Sequence, residues 1–332
     1  MEQTDFSDIG RIEAIDYLTK GSGLPGKGTF VAKEGSQVVT YSRLFLEGTD
    51  FSLVYFPLKH LGYKCVVAVT GRLYASLAHP KTLEITLGVS SKLDFSKISE
   101  LWNGIVAAAK EEGYEDLSLD IVPSRNGLSI GVSACGETKK LTLKRRPAPK
   151  TKDLICISGA LGAAYLGMRV LEKGMETFEK SGEQPDLASS KMFVGAYLKP
   201  ELNPGIVSRL EEAEIYPSTG HLVSKGLADT VKQLSRDTGL GAKIYADRIP
   251  FEGNTFSLAK ELDIDPVSAA MNGGDDFRLL FTIPILEAEK FRREFQGFDV
   301  IGHLSLAETG AVLVTPNGVE LPLKAPGWAD NE

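Results

Sequence analysis

The chain has 332 residues, of which 42% are hydrophobic and 24% are charged, and its formal net charge at pH 7 is −7. This composition is typical of a globular protein, and the length favours two domains over one. The negative charge argues against a protein that binds nucleic acid or an anionic membrane surface. No apolar run approaches the length of a membrane span and the N-terminus lacks an apolar signal core, so we expect a cytoplasmic protein.

The first half of the chain alternates strand and helix patterns. Apolar residues at helical or alternating spacing predict a helix over 9–18, a helix over 58–76, a strand over 83–89, a helix over 95–112 with Asp94 as its N-cap, and strands over 117–121 and 128–134. Strand patches are also expected between 29 and 54. This order predicts an α/β sandwich with helices on one side of a sheet.

A basic, proline-containing stretch from Lys144 to Lys150 interrupts the pattern and is the best linker candidate. It divides the chain into two predicted domains, 1–146 and 147–332. Three cysteines, Cys65, Cys135 and Cys156, lie in apolar runs interpreted as strands. Their spacing fits no metal site, so we interpret them as small buried hydrophobic residues.

The second half begins with a strand over 154–158 and a glycine turn, Gly159 to Gly162, that leads into a helix extending to about Lys173. A helix N-terminus after such a turn is a possible anion site, although the glycines serve close packing equally well. Helices are further predicted from Asn203, over 227–238 before Gly239, over 257–262 and over 284–295, and strands over 300–304 and 311–314.

The segment Gly273-Gly274-Asp275-Asp276 precedes an apolar strand. Two glycines allow a tight turn, and adjacent carboxylates at a strand entrance suit an Mg²⁺ site. The alternative is a polar turn before a hairpin strand.

The segment from Gly273 to Phe281 resembles the Gly-Gly-acid-Asp-Tyr-Glu-Leu-Leu-Phe signature of thiamine-monophosphate kinases, members of the aminoimidazole ribonucleotide synthetase-like superfamily. Further likenesses follow in the family's order over nearly the whole chain: Leu46-Glu47-Gly48, 57–64, 153–162, Ser224 with Gly226-Leu227-Ala228, 241–244, 248–250 and Pro326-Gly327-Trp328.

The resemblance implies a two-domain α/β (α+β) fold, in which the N-terminal sheet dimerises with its twin into a barrel and the C-terminal domain is an α/β sandwich. It implies transfer of the ATP γ-phosphoryl group to thiamine monophosphate, with Mg²⁺ held by many aspartates. It also implies that Trp328 stacks on the thiamine moiety. A terminal Trp that pins the tail against the body is the alternative.

The chain departs from the family at the metal-binding positions. Family aspartates fall on Arg43, Arg72, Leu222 and Lys225, and a family glutamate falls on Arg278. The acids that remain are Asp120, Asp275 and Asp276. Because Arg and Lys cannot ligate a divalent cation and repel it, we expect the multi-Mg²⁺ cluster to be lost and activity to be impaired or absent.

Two hypotheses follow for these basic residues. In the first, Arg43, Arg72, Lys225 and Ser224 bind a phosphate or another anion without metal. In the second, the site has lapsed and the cations pair with Asp120, Asp275, Asp276 or Glu47. The functional expectation is a thiamine-monophosphate kinase homologue, homodimeric by the resemblance. The alternative is a non-catalytic phosphate-ligand binding or regulatory homodimer, able to pair with an active paralogue.

Overall fold

The structure is a computed structural model that describes residues 11–26, 28–182 and 184–324. Two compact units make up the chain, one ending at Lys140 and the other beginning at Leu141. This division falls shortly before the boundary predicted between 146 and 147. A short helix, Lys140–Arg145, occupies the start of the stretch that the sequence analysis interpreted as a linker.

The first unit has the predicted element order. It contains helix α1 (Arg11–Ser22), strand β1 (Ser36–Leu46), helix α2 (Leu58–Ala75), strand β2 (His79–Ser90), helix α3 (Phe95–Glu111), strand β3 (Asp116–Ser124) and strand β4 (Ser129–Lys139). The Asp94 carboxylate accepts a hydrogen bond from the backbone N–H of Lys97 at 2.9 Å, which confirms the predicted N-cap of α3. Cys65 lies in α2, as the helix predicted over 58–76 requires, so the description of its apolar run as strand-like was wrong.

The four strands form one sheet in the order β1-β4-β2-β3, antiparallel except for the parallel pair β2 and β3. One face of the sheet is buried by apolar side chains such as Ile85 and Val132 against the helices. The register aligns Leu44, Thr86 and Asp120 on the opposite face. Helices therefore cover one face, as predicted, and Asp120 lies on the other.

The second unit begins with helix α4, whose bounds, Lys140–Arg145, straddle the division between the units. It continues with β5 (Leu154–Ile157), α5 (Ala163–Ser181), α6 (Lys191–Leu198), α7 (Ile206–Glu212), β6 (Thr219–Val223), α8 (Leu227–Thr238), β7 (Gly241–Tyr245), α9 (Thr255–Glu261), α10 (Pro266–Asn272), β8 (Arg278–Ile283), α11 (Ala288–Glu294), β9 (Asp299–Ser305), β10 (Ala311–Val314) and β11 (Glu320–Pro322).

These strands form a seven-stranded sheet in the order β11-β10-β7-β9-β5-β8-β6. Only β10 and β7 pair in parallel among the described strands of this sheet. A core of apolar residues from the sheet and from α8 and α10 includes Ile155, Ile244, Val231 and Ala270, all fully buried. Helix α8 and its Gly239 terminator were predicted correctly. The helix expected to end near Lys173 instead continues to Ser181.

None of the described helices combines the length and the apolar character needed to cross a membrane.

Candidate functional site

The retained acid Asp276 lies inside the second unit and caps a helix. One carboxylate oxygen accepts a hydrogen bond from the N–H of Gly162 at 2.9 Å, and the other accepts one from the N–H of Ala164 at 3.3 Å. These donors belong to the glycine turn and the first turn of α5, where backbone N–H groups have no partner within the helix. The predicted anion site at this helix N-terminus is thus filled by a carboxylate of the chain itself.

Burial controls the protonation of Asp276. Loss of solvent raises its pKa from an ordinary value of 3.8 to about 7, while the two backbone N–H groups and the Arg278 guanidinium oppose the rise. The neighbouring charge of Asp275 adds to it. Near pH 7, the charged and the neutral forms of the Asp276 carboxyl are therefore both populated.

Two turns of the second unit pack against each other beside this acid. The backbone N–H of Asp275 donates to the carbonyl of Ser224 at 3.0 Å. Gly226 has φ of 90°, and a Cβ at this position would lie 2.4 Å from the carbonyl oxygen of Met271. A glycine is therefore required here both by conformation and by space. The structure brings Ser224 and Lys225 next to the Gly-Gly-Asp-Asp turn.

The two residues of this unit that the sequence analysis aligned with family aspartates have opposite environments. Leu222 is 7% exposed in β6 and is paired in register with Leu279 of β8, so it belongs to the packed interior. Lys225 is exposed at the edge of its turn, and a Cβ built on Gly274 would lie 3.4 Å from its Cα. Lys225 forms no ion pair with another residue that the structure describes.

Arg278 is the residue that the sequence analysis aligned with a family glutamate. Its Nε donates to the carbonyl oxygen of Ala160 at 3.3 Å, and its guanidinium lies over Gly159, so that a Cβ there would be 3.5 Å from Cζ. Together with Ser158 and Asn203, it lines a cavity of about 240 Å³. This arginine thus joins the glycine turn to the start of β8.

In the first unit, the two arginines that the sequence analysis aligned with family aspartates contact neighbours of their own unit. Arg43 makes an ion pair with Asp50 at 3.3 Å and lies 4.5 Å from the ring centroid of Phe45. Arg72 is exposed, with Cζ 5.2 Å from the ring centroid of Tyr41. Tyr41, Arg43 and Phe45 alternate along β1 and share the helix-covered face.

The other acids of the first unit have separate roles. Asp120 lies on the face of the sheet opposite Arg43, and its Oδ1 accepts a hydrogen bond from the N–H of Ile121 at 2.9 Å. Glu47 accepts from the N–H of Leu128 at 2.7 Å, which stabilises the turn between β3 and β4. Asp50, which the sequence analysis did not single out, is the ion-pair partner of Arg43.

The donor set of the second unit does not fit Mg²⁺. Mg²⁺ needs several anionic oxygens in near-octahedral geometry. Both oxygens of Asp276 accept backbone hydrogen bonds in a solvent-free setting, and Lys225 adds a positive charge to the adjoining turn. Over residues 11–26, 28–182 and 184–324, no three His, Cys, Asp or Glu side chains lie close enough together to hold a metal ion. Trp328 falls outside the described residues.

No family model matches the chain. Among curated proteins, the thiamine-monophosphate kinase of Bacillus subtilis (strain 168) is 24% identical over 284 residues, which are 85% of this chain and 82% of that protein. The thiamine-monophosphate kinase of Methanospirillum hungatei is 27% identical over 267 residues, or 80% of this chain and 79% of the relative.

Solved structures agree with these relatives. Thiamine-monophosphate kinase from Stenotrophomonas maltophilia K279a has a TM-score of 0.74 at 20% identity and covers 90% of this chain and 95% of its own. AaThiL complexed with AMPPCP and TMP has a TM-score of 0.74 at 20% identity and covers 97% of both chains. The hydrogenase maturation protein HypE of E. coli has a TM-score of 0.68 at 14% identity, with 95% and 98% covered.

The two α/β units therefore have the aminoimidazole ribonucleotide synthetase-like fold, as the resemblance implied. Within that class, the chain is similar to thiamine-monophosphate kinases over most of its length.

Proposed function

We propose that this chain is a thiamine-monophosphate kinase-like protein that binds a phosphorylated ligand but has lost the Mg²⁺-dependent phosphoryl transfer of its relatives. The observation that carries the proposal is the environment of the Gly-Gly-Asp-Asp turn. Its Asp276 is buried and bound to the N–H groups of Gly162 and Ala164, and an exposed lysine, Lys225, stands on the adjoining turn. The carboxylate of Asp276 stabilises the fold through these hydrogen bonds. Lys225 places a positive charge where the resemblance implies an aspartate.

The binding half of the proposal is supported by the relatives. Curated proteins that match most of the chain are thiamine-monophosphate kinases, and AaThiL was solved with AMPPCP and TMP. In this chain the Lys225 ammonium would attract phosphate oxygens, and the Ser224 hydroxyl would donate a hydrogen bond to one of them. Arg43 and Arg72 of the first unit remain candidate anion-binding residues, although Arg43 already forms an ion pair with Asp50.

We also propose that the protein is a homodimer. On the sheet face of the first unit opposite the helices, β1 exposes three large apolar side chains, Val38, Leu44 and Leu46, which are 44%, 57% and 39% exposed. Exposed apolar residues in a row along one strand are typical of an association surface. A second copy that covers this face would bury them.

Isothermal titration calorimetry with AMPPCP, thiamine monophosphate and thiamine diphosphate, each with and without Mg²⁺, tests the proposal. We expect binding of at least one of these phosphates with an affinity that does not depend on Mg²⁺. Lys225→Ala should weaken it by about tenfold or more, the usual effect of removing a charged hydrogen-bond donor. Lys232→Ala, an exposed lysine of α8, is the matched control and should bind as the wild type does. Absence of binding by all three would reject the proposal.

A second candidate function is the kinase reaction itself, favoured by the retained Asp120 and Asp275. In that reaction the terminal P–O bond of ATP breaks and a new P–O bond forms on thiamine monophosphate, giving ADP and thiamine diphosphate. A coupled assay for ADP separates the two functions. Mg²⁺-dependent turnover that falls sharply in Asp275→Asn would establish the kinase and overturn the loss of transfer. Asn tolerates the φ of 61° at this position, so the variant should fold.

A further inference from the structure

A cavity of about 260 Å³ opens on the sheet of the second unit, where β7, β9 and β5 lie side by side. Six residues in its lining carry the argument: Lys152, Leu154, Tyr245, Arg248, Val300 and His303. Leu154 and Arg248 lie in segments that resemble the family, but none of the six lies in the signature from Gly273 to Phe281. The cavity is therefore a separate feature from the candidate site described above.

The cavity lies on the face of the sheet opposite α8 and α10. Lys243, His303 and Leu154 are directly aligned across β7, β9 and β5, so their side chains share one face. The next residues along two of these strands, Ile155 and Ile244, point the other way into the core that α8 and α10 cover. His303 and Leu154 therefore stand on the opposite face.

An irregularity in β9 shapes the floor. The register of β5 against β9 shifts between Ile155 and Cys156, so that Gly302 and Val300 face consecutive residues and Ile301 is an extra residue. Ile301 is fully buried in the core. At Gly302 a Cβ would lie 2.0 Å from the carbonyl oxygen of Lys243, so no side chain fits. Val300, Gly302 and His303 of this irregular stretch all line the cavity, and bulges are often found next to active sites.

One wall of the cavity is aromatic. The rings of Tyr245 and His303 are stacked, with centroids 5.8 Å apart and an interplanar angle of 28°. The Tyr245 hydroxyl and His303 Nδ1 are 3.3 Å apart, within hydrogen-bond reach. Both side chains are half-buried. A rigid, partly exposed aromatic pair is suited to stack against a planar group.

The rim of the cavity is cationic. Lys152 and Arg248 are both exposed, and neither forms an ion pair with another residue in the described ranges. The guanidinium of Arg248 lies 5.1 Å from the ring centroid of Tyr245. Lys152 is held in the left-handed region with φ of 73°, and its N–H donates to the carbonyl oxygen of Leu304 at 2.7 Å.

The electrostatics agree with this geometry. Burial lowers the pKa of His303, and the charges of Lys243 and Arg248 lower it further. Lys243 is itself paired with Glu320, so the uncompensated cations at the cavity are Lys152 and Arg248. At neutral pH the ring is therefore uncharged and can stack without adding charge.

We propose that this cavity binds a small aromatic phosphate monoester, with its ring against Tyr245 and His303 and its phosphate between Lys152 and Arg248. Pockets for drug-sized ligands occupy roughly 300–1,000 Å³, so this smaller cavity suits a single ring with one phosphate. Both cations are exposed donors that can converge on phosphate oxygens. The inference does not rest on the proposed function, because it uses no residue of the Lys225 turn.

NMR titration of the full chain with phenyl phosphate tests the site directly. The chain has only four histidines, so its imidazole proton signals are few. The signal that is missing from the His303→Gln variant is assigned to His303. We expect phenyl phosphate to shift the His303 signal in a saturable way and to leave the other three unchanged. Phenol alone and inorganic phosphate alone should each bind at least about tenfold more weakly, because each lacks one half of the recognition.

Charge variants complete the test. Arg248→Gln and Lys152→Gln should each weaken phenyl phosphate binding at the His303 signal by about tenfold, whereas the exposed control Lys232→Gln should leave it unchanged. Urea unfolding of each variant verifies that it folds. The proposal is overturned by any of three results: no shift of the His303 signal, undiminished binding in both charge variants, or equal affinity for inorganic phosphate.

Discussion

Asp276 in the second unit and Glu112 in the first are both buried, and burial raises the pKa of each carboxyl to about 7. Their partners differ. Asp276 accepts from two backbone N–H groups at a helix start, whereas Glu112 accepts from the Tyr74 hydroxyl at 2.7 Å. Only Asp276 lies in a family motif. A buried acid with a raised pKa is thus not by itself a catalytic group, and its partners show whether it serves the fold.

The largest expected effect is on the turn that adjoins Asp276. Gly226→Ala places a methyl group 2.4 Å from the Met271 carbonyl and forces a non-glycine residue to φ of 90°. We expect a loss of about 3 kcal/mol or more in the free energy of unfolding, from strain and overpacking together. Gly239→Ala is the matched control, with φ of 69° and open space around it, and should cost about 1 kcal/mol. Urea denaturation followed by circular dichroism measures both, and equal losses would contradict the role of close packing.

The second prediction concerns the cap itself. Asp276→Ala removes the acceptor for Gly162 and Ala164 inside a dry site, so it should cost about 2–4 kcal/mol. Asp265→Ala provides the comparison, because Asp265 caps α10 at an exposed position through the N–H of Ser268 and should cost about 1 kcal/mol. Thermal and urea unfolding at one fixed pH give both values. If Asp276→Ala were as mild as Asp265→Ala, the buried cap would not be the main role of this residue.

The third prediction concerns the raised pKa of Glu112. The folded pKa of Glu112 is about 7 against an ordinary value of 4.5, so the folded state holds the proton more tightly than the unfolded state does. The resulting stability is fully present below pH 4.5 and is lost as the pH rises through 7.

Glu112→Gln keeps a hydrogen-bonding partner for Tyr74 and cannot ionise. We expect it to gain stability relative to the wild type between pH 5 and pH 8 by on the order of 1–3 kcal/mol. The adjacent and exposed Glu111→Gln should show no such change. Urea unfolding across this pH range provides the measurement, and parallel curves for Glu112→Gln and the wild type would show that Glu112 is not buried as a neutral acid.

The smallest effect is expected at a half-buried ion pair near the surface. Arg43 and Asp50 are 3.3 Å apart, with side chains 23% and 24% exposed. A double-mutant cycle with Arg43→Gln and Asp50→Asn should give a coupling energy below about 1 kcal/mol. A larger coupling energy would mean that Arg43 stabilises the fold, as Asp276 does. Arg43 would then no longer be a candidate anion-binding residue.

The sequence predicted the elements whose signals are local. Helix α3 follows from its apolar spacing and the Asp94 cap, and α8 ends at Gly239 because a glycine accepts the left-handed conformation there. The family resemblance added the overall fold. These local patterns could not predict the order of the strands within each sheet.

Features that join distant parts of the chain were not predicted. The hydrogen bond from Gly162 to Asp276 spans 114 positions, so no spacing rule connects the glycine turn to the acid that fills it. The cavity beside His303 depends on a bulge in β9 and on residues drawn from several parts of the second unit. Asp50 gave no signal, because an ion pair across a turn leaves no periodic pattern.

The sheet order of the second unit has a consequence for synthesis. Strand β5 comes first in that unit, yet its neighbours are β8 and β9, which follow more than a hundred residues later. While the ribosome makes the intervening helices, both edges of β5 are without their final partners, and its apolar sequence is open to wrong pairing. A chain released before β9 would leave one edge of β5 bare. Strands β8 and β9 therefore protect β5 from wrong pairing, and this protection begins only after both have been made.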